Sequence, residues 1–349
     1  MAGGLLAALG AVEVASLASA ASRWSRNISI ATVDPSSFSE LPLVLAQRLG
    51  FFADEGLSVQ LVQAQSHAHA VGLLRRGQVQ VISSRFSDLL INRANSDYRG
   101  IARRESLQSF VVQGRSPSML LGAKATAVGA DGEMDWRGKT VAVAALGSDA
   151  HRLARYLVDR QQTVQGRRGP ATQYKAIASP SSAMAAFQSG QVDAICYPDP
   201  VATLFERRGT MRILADLRTT DGCKAALGGL VATGCLIASA RTIEASPAVC
   251  QGLTNGVVRA LRWIQTAGPL DVVKTVPESY FGGDRGVYLA AFVRSRQAWS
   301  NDGAMPPDAA LTLAKVMART EVSLPVQRLA LDSTFTNLFA EKAMELVRS

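Results

Sequence analysis

LPLVLAQRLGFFADEGLSVQLV, residues 41–62, is followed at residues 73–82 by LLRRGQVQVI. The same plan returns later: GKTVAVAALGSDAHRLARYLV at residues 138–158 leads to MAAFQSGQVDAICYPDP at residues 184–200. Each half reads strand, helix, strand, helix, and then a Gly-Gln-Val turn into another strand. Strands alternating with helices at this spacing imply mostly parallel sheets. A chain that repeats one α/β unit builds two similar lobes, and the cleft between two lobes suits a small molecule.

Working outward, strands are expected at Ile28–Val33, Leu57–Val62, Val79–Ile82, Ser109–Gln113, Leu120–Ala123, Thr140–Ala145, Thr172–Ile177, Val192–Tyr197 and Leu230–Ala238. Gly50 ends a helix over about residues 40–49, Ser66 caps one reaching Arg76, and Ser148 starts one reaching about Asp159. The chain crosses between lobes twice, near residues 114–123 and 229–238, which gives two hinge strands. The first lobe then comprises residues 27–118 and 229–349, and the second residues 119–228. After Arg241 the pattern is helical: Ala248–Gln265, Leu270–Val276, Val287–Trp299, Pro307–Thr320 and Phe335–Leu346. These helices are expected to brace the first lobe, with residues 322–331 as a loop over the surface or the cleft mouth.

Composition narrows the class. Of 349 residues, 48% are hydrophobic and 19% charged, as in a globular protein with a large core. The net charge of +9 suits anionic partners, although an arginine-rich composition alone gives such a value. The arginine pairs at 103–104, 167–168 and 207–208 are scattered and lack an aromatic platform, so no nucleic-acid partner is expected. The four cysteines (Cys196, Cys223, Cys235, Cys250) form no C-x-x-C, and with three histidines no metal site is expected. They read as small buried hydrophobes, with a Cys223–Cys235 disulfide as the alternative in an exported protein. Residues 1–26 hold an apolar run, Leu5–Leu17, and then Ala18-Ser19-Ala20, which reads as a signal peptide cleaved after Ala20 or as an anchor. The run lacks a preceding Lys or Arg, and Glu13 interrupts it.

Leu41-Pro42, Gly50-Phe51-Phe52, Glu55-Gly56-Leu57, Arg76-Gly77-Gln78-Val79, Gly138-Lys139-Thr140-Val141, Gly147-Ser148 and Ser189-Gly190-Gln191-Val192-Asp193-Ala194 carry a family resemblance. In order and spacing the chain resembles the sulfonate/nitrate/taurine substrate-binding proteins of ABC importers, a superfamily shared with THI5-like proteins, over roughly residues 27–265. The resemblance implies a periplasmic binding protein type II fold, a small anionic ligand and an ABC permease as partner. It also implies a periplasmic or extracytoplasmic monomer without a cofactor. A desulfinase of similar layout uses a cysteine in the loop after the first strand, where this chain has Ser36 and Ser37. THI5-type pyrimidine synthases carry a cysteine cluster that is missing here. Both departures favour binding over catalysis, with a carbon–sulfur lyase or a pyrimidine-precursor binder as alternatives.

In open parallel sheets ligands bind beyond the carboxyl ends of the strands. The loops leaving those ends supply the candidates Ser37, Phe38, Ser66, His67, Ser84, Arg85, Gly147, Ser148, His151, Tyr197 and Asp199. Helix N-termini at the Ser caps offer free N–H groups to an acidic head group, and Arg85 offers a two-pronged contact. The resemblance places Gly147-Ser148 at the ligand pocket, and Asp199 stands where the family commonly has Glu. Each candidate has a plainer reading. The serines also serve as ordinary caps, Arg85 as a solvated arginine, and Phe38 and Tyr197 as core.

Overall fold

Pro42 stands at the start of the helix α1 (Leu41–Arg48), where its missing N–H is no loss, and Gly50 closes that helix with φ of 77°. Both Gly-Gln-Val turns are built alike. Gly77 and Gly190 take φ of 70° and 84°, and the next N–H turns back, Gln78 to the Leu73 carbonyl and Gln191 to that of Ala186. This is a helix ending through a left-handed glycine, used twice at equivalent places.

The computed structural model describes residues 26–98, 105–165, 169–209, 211–321, 323 and 325–348. After β1 (Asn27–Thr32) and α1 come α2 (Phe51–Asp54), β2 (Ser58–Gln63), α3 (His67–Arg75), β3 (Val81–Arg85), α4 (Phe86–Tyr98) and β4 (Leu107–Val112). The second lobe runs β5 (Met119–Lys124), β6 (Thr140–Val143), α5 (Asp149–Gln165), β7 (Gln173–Ala176), α6 (Pro180–Ser189), β8 (Ala194–Pro198), α7 (Val201–Arg208), β9 (Met211–Asp216) and α8 (Thr220–Leu227). The chain returns through β10 (Gly234–Ser239), α9 (Ala240–Ala245), α10 (Pro247–Thr266), α11 (Pro269–Thr275), α12 (Arg285–Arg294), α13 (Ala309–Thr320) and α14 (Leu338–Arg348).

The two five-stranded sheets have one plan. Their orders are β2-β1-β3-β10-β4 and β7-β6-β8-β5-β9, and in each the fourth position runs antiparallel to its neighbours. The two-lobed α/β fold expected from the repeat is present. Three details differ from the sequence reading. The crossings themselves, residues 113–118 and 217–233, are not strands. In the first, Pro117 lacks an N–H and Ser118 takes φ of 50°, so the ladder breaks there. The edge strand β9 was not anticipated; its residues are mostly half-buried and show no clean alternation. Finally, the C-terminal helices serve both lobes. α10 packs on α1, α2 and α14, whereas α12 packs on α7 and α13 on α5. The helix expected over Val287–Trp299 stops at Arg294, and Ser295 directs its hydroxyl into the second lobe instead.

The apolar core is one cluster that joins the lobes, flanked by one under α10 and one around Phe187 and Phe205. All four cysteines are buried and free, including Cys223 and Cys235. The proposed leader lies almost wholly outside the described residues, as do Arg103, Arg104, Arg167 and Arg168. Among the described residues no helix is long and apolar enough to cross a membrane.

Candidate functional site

The end of β3 meets the helix start after β6 across the cleft, where Arg85 and Ser87 face Asp149, and the polar side chains at the neighbouring strand ends form groups of their own. After β1, Asp34 accepts from the Ser36 N–H and hydroxyl, while Ser37 donates to the Asp34 carbonyl at 2.8 Å. Ser37 thus shapes its own turn. Phe38 is buried between Tyr288 and Trp299, with ring centroids 5.2 and 5.3 Å away, and belongs to the core.

Glu40 follows, and sequence reasoning passed it over as a helix start. Its side chain is 4% exposed and accepts from the Thr32 hydroxyl at 3.3 Å. Burial pushes its carboxyl up to about 7, against the hydrogen bonds of Ser83 and Thr32. Gln113, at the first crossing, donates to the Ser83 hydroxyl at 2.9 Å and accepts from the Leu43 N–H at 3.0 Å. The hinge is thereby tied to the head of α1 and the end of β3.

Ser66 and Ser148 cap their helices as expected, accepting from the His69 and His151 N–H groups. Each of those imidazoles reaches back, His69 Nδ1 accepting from Gln65 N–H and His151 Nδ1 from Gly147 N–H. Each His, three residues after its Ser cap, thus accepts from the residue before that cap, a variant of the capping box shifted by one position. Gly147 supports the second with φ of 76°, and the His151 ring also packs edge-on against Tyr174. His67, in contrast, turns toward β3: its Nδ1 lies 2.9 Å from the hydroxyl of Ser84, which is buried.

Arg85 is brought to the cleft, but with company. Its Nε and Nη2 donate to Asp88 at 2.9 and 3.0 Å, and its Nη1 lies 3.9 Å from Asp149 of the second lobe. Asp149 also accepts from the Ser87 hydroxyl at 2.7 Å and from Arg152 at 3.1 Å. The nearby carboxylates hold the Arg85 guanidinium above its usual range. Asp88 and Asp149 were missed in the sequence; the three-residue spacing from Arg85 to Asp88 was the available signal.

Tyr197 is 1% exposed, stacks on Phe205 and donates to the Ile177 carbonyl at 2.6 Å. Asp199 caps α7 through the Thr203 N–H and hydroxyl and accepts from the Ser295 hydroxyl at 2.6 Å. Burial raises its carboxyl, opposed by Ser295, Arg218 and Thr203. Both residues are structurally committed. The network therefore brings together Ser84, Arg85 and His67 from the expected set, with Ser66, Gly147, Ser148 and His151 at two helix starts around it. No group of three or more His, Cys, Asp or Glu arranged for a metal occurs among the described residues.

Two similar α/β lobes with polar strand ends facing each other define the class of the periplasmic-binding fold. The NMT1/THI5-like family model matches residues 37–266, and the chain belongs to that family. A solved protein of Bordetella bronchiseptica RB50 is 30% identical, with TM-score 0.75, over 93% of this chain and 99% of that one. The aliphatic sulphonate binding protein SsuA of Escherichia coli is 18% identical, with TM-score 0.65, over 89% and 92%. The nitrate-binding protein NrtA of Synechocystis is 12% identical, with TM-score 0.63, over 92% and 89%. No curated protein matches the chain.

Proposed function

We propose that the chain is a solute-binding protein that captures a small organic acid between its lobes and delivers it to an ABC importer. The observation that carries this is the facing of two identically ordered sheets, whose carboxyl ends bring Arg85, Ser84 and the α5 start together. Family membership and the likeness to SsuA and NrtA support it. The protein acts as an exported monomer, and the hinge at residues 113–118 and 217–233 lets the lobes close on ligand. As the lobes part, Asp149 leaves Arg85, and the Nη1 edge becomes open to a sulfonate, carboxylate or nitrate. The N-terminus of α5, with Gly147 and Ser148, supplies backbone donors from the other side.

Binding, not turnover, is the reading. Burial pushes the Cys196 and Cys250 thiols up to about 12 and raises Cys235 as well, so these groups stay protonated and unreactive, unlike a lyase nucleophile. A thermal-shift screen with sulfonates, nitrate and carboxylates should find a stabilising ligand. Calorimetry then tests the site. Arg85→Ala should lose about 1.5–3 kcal/mol of affinity, or roughly 10- to 150-fold in Kd. Ser148→Ala should lose about 1 kcal/mol, because the backbone donors stay. A folded Arg85→Ala protein binding like wild type would remove Arg85 from the site.

A further inference from the structure

Three donors converge on one oxygen between the lobes. Asp149 stands in the first turn of α5, and its Oδ1 accepts from the Ser87 hydroxyl at 2.7 Å and from Arg152 Nη1 at 3.1 Å, with Arg85 Nη1 3.9 Å away. Arg85 and Ser87 belong to the first lobe and Arg152 to the second. Two further carboxylates hold the guanidiniums in this pose. Asp88 takes Arg85 Nε and Nη2, and Glu321 takes Arg152 Nε at 2.7 Å, so each arginine turns its Nη1 toward Asp149. Ser87 is 1% exposed and Arg152 7%. A hydroxyl and two guanidinium edges around one shielded point make the donor set that an acidic oxygen requires. Here the oxygen is the protein's own.

The arrangement leaves no place for a second anion. Beside Asp149 is a cavity of about 20 Å³, bounded by Arg152, by Pro117 of the first crossing, by Thr233 of the second, and by Leu313 and Val316 of α13. Such a volume takes about one water and is too small for the three oxygens of a sulfonate or nitrate. The lobes must part and Asp149 must leave before a ligand's acidic group can reach the same donors. Its way out is short. The side chain is 22% exposed, and a carboxylate in the first turn of a helix is stabilised when it turns to that helix's own N-terminus.

We infer that Asp149 is a built-in competitor for the ligand: its carboxylate occupies the donor seat, holds the ligand-free lobes shut, and sets how strongly an acid must bind to displace it. This rests on the reading of the cleft as an acid site and deepens it by naming the residue that opposes binding. The apparent affinity is then the intrinsic one reduced by the fraction of free protein that is open. An acid that engages all three donors displaces Asp149. One that reaches a single donor leaves the latch closed.

Asp149→Asn keeps the shape of the side chain and exchanges charge-assisted hydrogen bonds for neutral ones. In calorimetry on the full chain with ethanesulfonate, propionate and nitrate, the folded variant should bind the best of the three about five- to tenfold tighter than wild type, the margin between charged and neutral hydrogen bonds. Small-angle scattering should give wild type nearly the same radius of gyration with and without that probe. The variant should be expanded when free and return to the wild-type radius at saturation. Asp149→Ser, too short to reach the seat, should repeat both changes. Tighter binding with an unchanged free radius is plain charge repulsion and overturns the inference. Binding equal to or weaker than wild type in both folded variants overturns it too, and in either case the acid-binding reading stands. If neither wild type nor variant binds any probe, the organic-acid reading falls and the inference falls with it.

Discussion

Glu40 is the residue whose environment is most at odds with its chemistry. A carboxyl ordinarily near 4.5 is held at about 7 by burial, so between those values the folded chain binds a proton that the unfolded chain has released. Stability should fall as pH rises from about 4.5 to 7 and level off above. The difference amounts to about 3 kcal/mol at 1.36 kcal/mol per unit. Glu40→Gln keeps the shape and removes the ionisation, so urea unfolding between pH 5 and 8 should lose that descending limb. The variant should then be the more stable protein at pH 8. Parallel curves for both proteins would show that Glu40 ionises as freely folded as unfolded.

At the scale of elements, the hinge is tight where it rejoins the first lobe. A Cβ on Gly234 would lie 2.4 Å from the Ser39 carbonyl oxygen, a backbone atom that cannot swing aside. Gly234→Ala should cost about 1–3 kcal/mol, read as a lower urea midpoint with unchanged m-value. A midpoint equal to wild type would mean that the loop after β1 gives way. Much of this architecture was legible in the sequence, because the repeated Gly-Gln-Val turns and the Ser caps are local signals. The clasp of α12 and α13 on the second lobe was not, since Ser295 and Glu321 find Asp199 and Arg152 across 96 and 169 residues. Site residues divided the same way. The caps at Ser66 and Ser148 could be read from their neighbours, whereas the Asp149–Arg85 and His67–Ser84 contacts depend on the fold. Phe38 and Tyr197 sit next to polar loops, yet their rings face the core because burying an aromatic ring outweighs its proximity to the cleft.

For the whole molecule, opening the cleft must break one set of contacts with the C-terminal helices. Arg152, whose side chain is 9% exposed, joins α5 to Glu321, and Arg155 donates to the Thr320 carbonyl beside it. This partly buried clasp counts for more than the Arg294 pairs with Glu206 and Asp216, where Arg294 is half in solvent. Arg152→Ala should shift the free protein toward the open form. Small-angle scattering should then give a larger radius of gyration without ligand and the wild-type radius at saturation. An unchanged radius in the free variant would place the closing force elsewhere.

The shared sheet plan also sets an order of birth. All five strands of the second sheet come from the unbroken stretch 119–216, so that lobe can be completed as soon as it leaves the ribosome. The first sheet waits: β3 and β4 each have an unpaired edge until β10 is made, more than 120 residues after β4. For that interval the nascent protein holds a finished half and an unfinished one with a gap in its middle. Expressed alone, residues 119–227 should fold cooperatively, while residues 27–112 should aggregate or stay unstructured by circular dichroism. The longest-lived hazard in this chain's manufacture is thus the gap that its last strand fills, and a chaperone would find its grip there.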